Sequence, residues 1–197
     1  MIPMKKYVLI LTMALASTTL FAQNANQGGK IVDFYGVDYS LAKVQGAMET
    51  PAQFKAAFSS INYLILAEYP KYNVAKYLGK DAVTPNIDVV LPNINAINEA
   101  NIISNSGKCD ITDAQVDSLV QTYKIPTSNN EVGVVMIGGL LSKSAVLGHY
   151  KVVFFENKTK KVLSIVNVSG KPAGFGVRNF WAGSVLGSLK DFEKKNK

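Results

Sequence analysis

The feature that most constrains this chain is a change of hydrophobic period near Pro126. Before it, the clearest apolar segments repeat at helical spacing. After it come three runs rich in Val, Ile and Phe: Val132 to Leu141, His149 to Glu156 and Lys161 to Ser169. The polar connections between them are too short for a crossover helix, so the runs must pair as antiparallel neighbours. The first run is apolar on both faces, as a central strand is. Asn157, Lys158, Thr159 and Lys160 supply the turn between the second and third.

The helical half carries its own start signals. Thr50, Pro51 and Gln53 form a capping-box start with proline at the first helical position. Phe54, Ala57, Phe58, Ile61, Leu64 and Ile65 then make one buried stripe that stops before Pro70. Thr112 and Gln115 open a second helix with Val116, Leu119, Val120 and Tyr123 inward, and Ile111 can staple onto Val116. A last helix is predicted from about Arg178 to Glu193 on Trp181, Val185, Leu189 and Phe192. Its Gly183 and Gly187 would weaken it unless they allow close packing, so it should lie tight on the sheet. Lys194, Lys195 and Lys197 suit its C-terminal end.

Between these landmarks, Ile31 to Tyr39 reads as a first strand, Lys71 to Leu78 as a short helix or a strand, and Pro92 to Ala100 as a short helix; Ile87 to Leu91 is a short apolar run. The expected fold is one α+β domain over residues 30–197. Its antiparallel sheet has about four to five strands, including the C-terminal three-stranded meander, with helices mainly on one face. A chain of 197 residues that is 48% hydrophobic can bury one substantial core, which excludes a disordered chain.

Residues 1–22 read as a cleavable secretory signal. Lys5 and Lys6 precede the apolar stretch Tyr7 to Ala16, and small residues lead to Ala22. Residues 23–29 would then be a flexible leader. The apolar stretch is about half of what a spanning helix needs, so no membrane span is expected. The sole cysteine, Cys109, lies far from the cleavage point, so neither a lipid anchor nor an internal disulfide is expected. The expected location is periplasmic or secreted.

Charge is uneven. Residues 23–150 hold nine Lys and eleven acids, a net −2, whereas 151–197 hold nine Lys, one Arg and three acids, a net +7. The basic residues are almost all Lys and carry no motif of a nucleic-acid module, so nucleic acid is not an expected partner. A solvated basic face accounts for the asymmetry, and contact with anionic lipid or polysaccharide is the functional counterpart.

Signals for chemistry are sparse. With one Cys109 and one His149 there is no metal-ligand cluster, and no cofactor is expected. Cys109 reads as a small buried residue, and His149, at a strand start, as polar surface. No nucleophile elbow occurs. Asp33 and Asp38 would face opposite sides of a regular strand and so could not act as a glycosidase pair, unless Gly36 marks a bulge. No catalytic residue is therefore assigned.

The densest unusual segment is Gly170 to Gly183, GKPAGFGVRNFWAG, which holds the only arginine and the only tryptophan. One reading is a strand-to-helix turn with Trp181 buried and Arg178 pairing a carboxylate or loop carbonyls. The other is a ligand site, in which glycine-rich backbone running into a helix start presents N–H groups to an anion. Lys171, Gly174, Gly176, Arg178, Asn179 and Trp181 are its candidate residues.

FYGVDYS, KYNVAKYLGK, GVVMIGGLLSKS and above all VVFFENKTKKVLSIVNVSGKPAGFGVRNFWAG resemble an uncharacterised family of exported proteins from Bacteroidetes-type bacteria. The resemblance covers most of residues 23–197. It implies a periplasmic or outer-envelope location and no particular reaction. The expected function is a non-catalytic envelope-associated binding module whose partner is an envelope protein or polysaccharide. The alternative is a small-molecule or anion binder using residues 170–183, and an enzyme is the third reading.

Overall fold

In the computed structural model, which describes residues 29–108 and 110–197, the chain opens on a strand buried along almost its whole length. This β1 (Ile31–Asp38) is followed by the three-residue β2 (Lys43–Gln45) and by α1 (Pro51–Ala67). The short helices α2 (Tyr69–Tyr72) and α3 (Val74–Leu78) lead to β3 (Ala82–Pro85), a 3-10 turn, α4 (Leu91–Asn95) and a second 3-10 turn. Then come α5 (Asp113–Thr122), β4 (Val132–Ser142), β5 (Leu147–Glu156), β6 (Val162–Gly170) and α6 (Gly176–Lys195). The expected signal segment, the leader up to Gly28, and Cys109 lie outside the described residues.

The capping signals work as their chemistry dictates. The Gln53 N–H donates to Thr50 Oγ1 (3.3 Å) while the Thr50 N–H donates to Gln53 Oε1 (2.8 Å). Thr112 and Gln115 repeat the exchange at the start of α5. These bonds satisfy amide donors that the first helical turn leaves without intrahelical partners.

The fold class is α+β, with six strands in one mixed sheet of order β3-β1-β4-β5-β6, to which β2 adds by pairing with β4. The antiparallel expectation holds for the meander β4-β5-β6. It is corrected for the rest: β1 runs parallel to both β3 and β4, and β2 runs parallel to β4 beyond the end of β1. The parallel pairing follows from the long helical excursion between β1 and β4, which brings the chain back to the same end of the sheet. All eleven residues of β4 are buried, as a central strand requires.

One face of the sheet packs on α1 and α6, where Tyr39 stacks on Phe58 and Phe154 meets Phe192. The other face carries Tyr35 and Phe155, against which Tyr123 packs from the end of α5. Gly36, at φ +87°, inserts a bulge that shifts the β1–β4 register between Phe34 and Val37. Asn62 of α1 fills the gap. Its Oδ1 accepts from the Val37 N–H (2.7 Å) and its Nδ2 donates to the Val37 carbonyl (2.9 Å).

No helix among the described residues is long and apolar enough to cross a membrane.

Candidate functional site

The segment from Gly170 to Gly183 divides into a packed base and an exposed tip. A Cβ on Gly170 would sit 2.0 Å from the Ser184 carbonyl oxygen, one on Gly183 2.4 Å from the Ala173 oxygen, and one on Gly187 2.8 Å from the Gly170 Cα. These glycines therefore let α6 lie directly on the end of β6. Trp181 is buried beside Phe180 in an edge-to-face pair, so it belongs to the core and faces away from the surface.

The tip is different. Lys171, Gly174, Gly176, Arg178 and Asn179 are all exposed. Gly174 (φ +117°) and Gly176 (φ +75°) turn the chain on either side of Phe175, which is 96% exposed. Phe175 occupies the N-cap of α6 and gives it no side-chain cap. Arg178 Nε donates to Asn179 Oδ1 (3.0 Å), and Arg178 makes no ion pair among the described residues.

A second group, outside the candidate residues read from the sequence, lies on α2 and α3. Helix α3 packs against α6. Lys71 stands 5.1 Å from the ring centre of Tyr72 and pairs with Glu68 (2.8 Å), and Lys76 lies 5.8 Å from the ring centre of Tyr77. Burial pushes the Tyr72 hydroxyl above its usual range, while the nearby cations Lys71 and Arg178 pull it back. The signal in the sequence is the repeated Lys-Tyr of KYNVAKY, whose meaning depends on which helix it meets.

Among the described residues, three of the clefts lie elsewhere, and residues 170–183 line none of these three. The most spacious, about 940 Å³, runs between the 125–132 connection and the β5–β6 turn. Two of its lining residues reach behind it to Asp33, which accepts from Asn130 Nδ2 and Asn157 Nδ2, both at 2.7 Å, and the Tyr35 hydroxyl donates to Asn157 Oδ1 (2.8 Å). With both oxygens of Asp33 occupied by amide donors, this network ties β1 to the 125–132 connection and to the β5–β6 turn.

A second cleft, about 310 Å³, includes Ser40, Asn93 and Thr122. Behind it Asp38 is fully buried, accepting from the Ser40 N–H (2.7 Å), the Tyr123 hydroxyl (3.0 Å) and Asn93 Nδ2 (3.2 Å). Burial pushes its carboxyl above the usual range, and the three hydrogen bonds oppose that shift. The Gly36 bulge does bring Asp33 and Asp38 to one face of β1, since Asp33 pairs with Gly133 and Asp38 with Ile137, four residues apart on β4. Each nevertheless closes its own hydrogen-bond set, and neither lines a cleft. His149 is exposed and borders a third cleft of about 460 Å³ with Lys108, Asp110 and Lys151.

No family model matches the chain, and no curated protein matches it. Among solved structures it is similar to a hypothetical protein from Chlamydia trachomatis determined at 1.65 Å. The likeness covers 84% of this chain and 92% of that one, with 13% identity and a TM-score of 0.31.

Proposed function

We propose that this protein is a non-catalytic, exported, envelope-associated binding module that engages its partner through the surface around Phe175. The observation that carries the reading is the tip itself. A phenylalanine 96% exposed stands between two left-handed glycines, with Arg178 one turn away and without an ion pair among the described residues. A large apolar side chain held in water beside cations gains by contact with another surface. The signal-like N-terminus supports an envelope setting for that contact.

The small-anion reading of residues 170–183 has one observation in its favour: α6 starts without a side-chain cap beside exposed Arg178 and Asn179. It makes a separate prediction, competition by inorganic phosphate at the same surface.

The test is co-sedimentation of the purified protein with isolated bacterial envelopes, comparing wild type with Phe175→Ser. Wild type is expected in the pellet and the variant in the supernatant, with equal melting temperatures. Equal pelleting of the two, or wild type remaining in the supernatant, overturns the reading.

A further inference from the structure

Resting on that reading, we infer that the partner surface is an anionic lipid bilayer, met by Phe175 with the exposed cations Lys171 and Arg178 on either side of it in the chain. Over residues 171–180 the chain carries Lys171 and Arg178 and no acid, a net +2. That positive charge calls for an anionic partner.

The shape of the tip selects a bilayer over a protein or a polysaccharide. Phe175, 96% exposed between Gly174 and Gly176, stands clear of its neighbours, and residues 170–183 line none of the three clefts described above. A protruding apolar side chain needs a soft surface that closes around it, which the headgroup and acyl boundary provides. Lys and Arg side chains can bury their stems while their charges remain at the phosphates. Each such cation near an anionic leaflet changes partitioning roughly fivefold.

The probe is vesicles of equal parts phosphatidylglycerol and phosphatidylcholine, set against phosphatidylcholine alone, with heparin as a soluble polyanion. Wild type is expected to co-sediment with the anionic vesicles only and to be released by added salt. Arg178→Ala lowers partitioning roughly fivefold, and Phe175→Ser lowers it roughly tenfold. A Phe175→Trp variant shows a blue-shifted emission on anionic vesicles, read against the Trp181 background. Because residues 175 and 178 are exposed, unchanged melting temperatures separate lost binding from lost folding.

Equal binding to both vesicle types overturns the inference, as does no binding to either. Binding to heparin without binding to vesicles also overturns it, in favour of a polysaccharide. In each of those cases, Phe175-dependent sedimentation with whole envelopes leaves the binding-module reading standing; loss of that sedimentation too overturns both.

Discussion

Asn62 shows how much one side chain can decide. A polar residue inside the apolar stripe of α1 is costly unless both ends of its amide find partners. Here both ends meet the Val37 peptide groups, which lie beyond the last β1–β3 pair at Phe34 and Pro85. Gly36 is required twice over, because its φ is +87° and a Cβ there would lie 2.3 Å from Asn62 Oδ1. Replacing Asn62 with Ala leaves a buried N–H and a buried C=O without partners, a loss of roughly 3 kcal/mol. Urea denaturation checks this, and a change within the scatter of ordinary surface substitutions would refute the role assigned to Asn62. The sequence marks Gly36 as a candidate bulge, but its partner is unreadable there because Asn62 reaches it only through the packing of α1 on β1.

At the scale of elements, helix starts and the meander are legible because their causes are local. A Thr three residues before a Gln sets the first turn of α1 and of α5, and alternating Val, Ile and Phe sets β4 to β6. The short strands β2 and β3 are not legible. Three or four residues carry too little periodicity, and their pairing with β4 and β1 is remote in sequence. Gly183 and Gly187 imply the close docking of α6, and the contact with Gly170 and Ala173 bears it out. Gly170→Ala drives a methyl into the Ser184 and Ser188 backbone and is expected to destabilise by about 2 kcal/mol or more. Gly79→Ala, with a left-handed φ but open space around it, should cost only about 1 kcal/mol. If thermal unfolding ranks the two the other way, close approach is not what the α6 glycines provide. The far end of α6 also protects the edge of the sheet: Asp191 accepts from the Ser169 N–H and Lys195 donates to the Asn167 carbonyl, which occupies groups an edge strand would otherwise present.

For the whole molecule, the two faces of the sheet carry opposite electrostatic consequences. Burial raises the Asp38 carboxyl pKa, so the folded state keeps a proton there at pH values where the unfolded chain has released it. That contribution is complete below the ordinary carboxylate range and declines as pH rises through the raised value. Asp191 goes the other way: partial burial pushes it up, but the Lys195 ammonium and the Ser169 N–H outweigh burial and hold it below its usual range, so its contribution is lost on acidification. Asp38→Asn should therefore remove a decline in stability that sets in as pH rises above the ordinary carboxylate range. Urea midpoints taken from about pH 4 to about pH 8 would show a flatter profile for the variant; profiles of the same shape would exclude Asp38 as the source. The sequence by itself determined the α+β class, the capped helices, the meander and the identity of most core residues, because propensity, capping and hydrophobic period act over a few neighbouring residues. Only the tertiary structure decided the parallel pairing of β1, the common face of Asp33 and Asp38, and the packing of α3 on α6. Those depend on contacts between segments far apart in the chain, which no local pattern encodes.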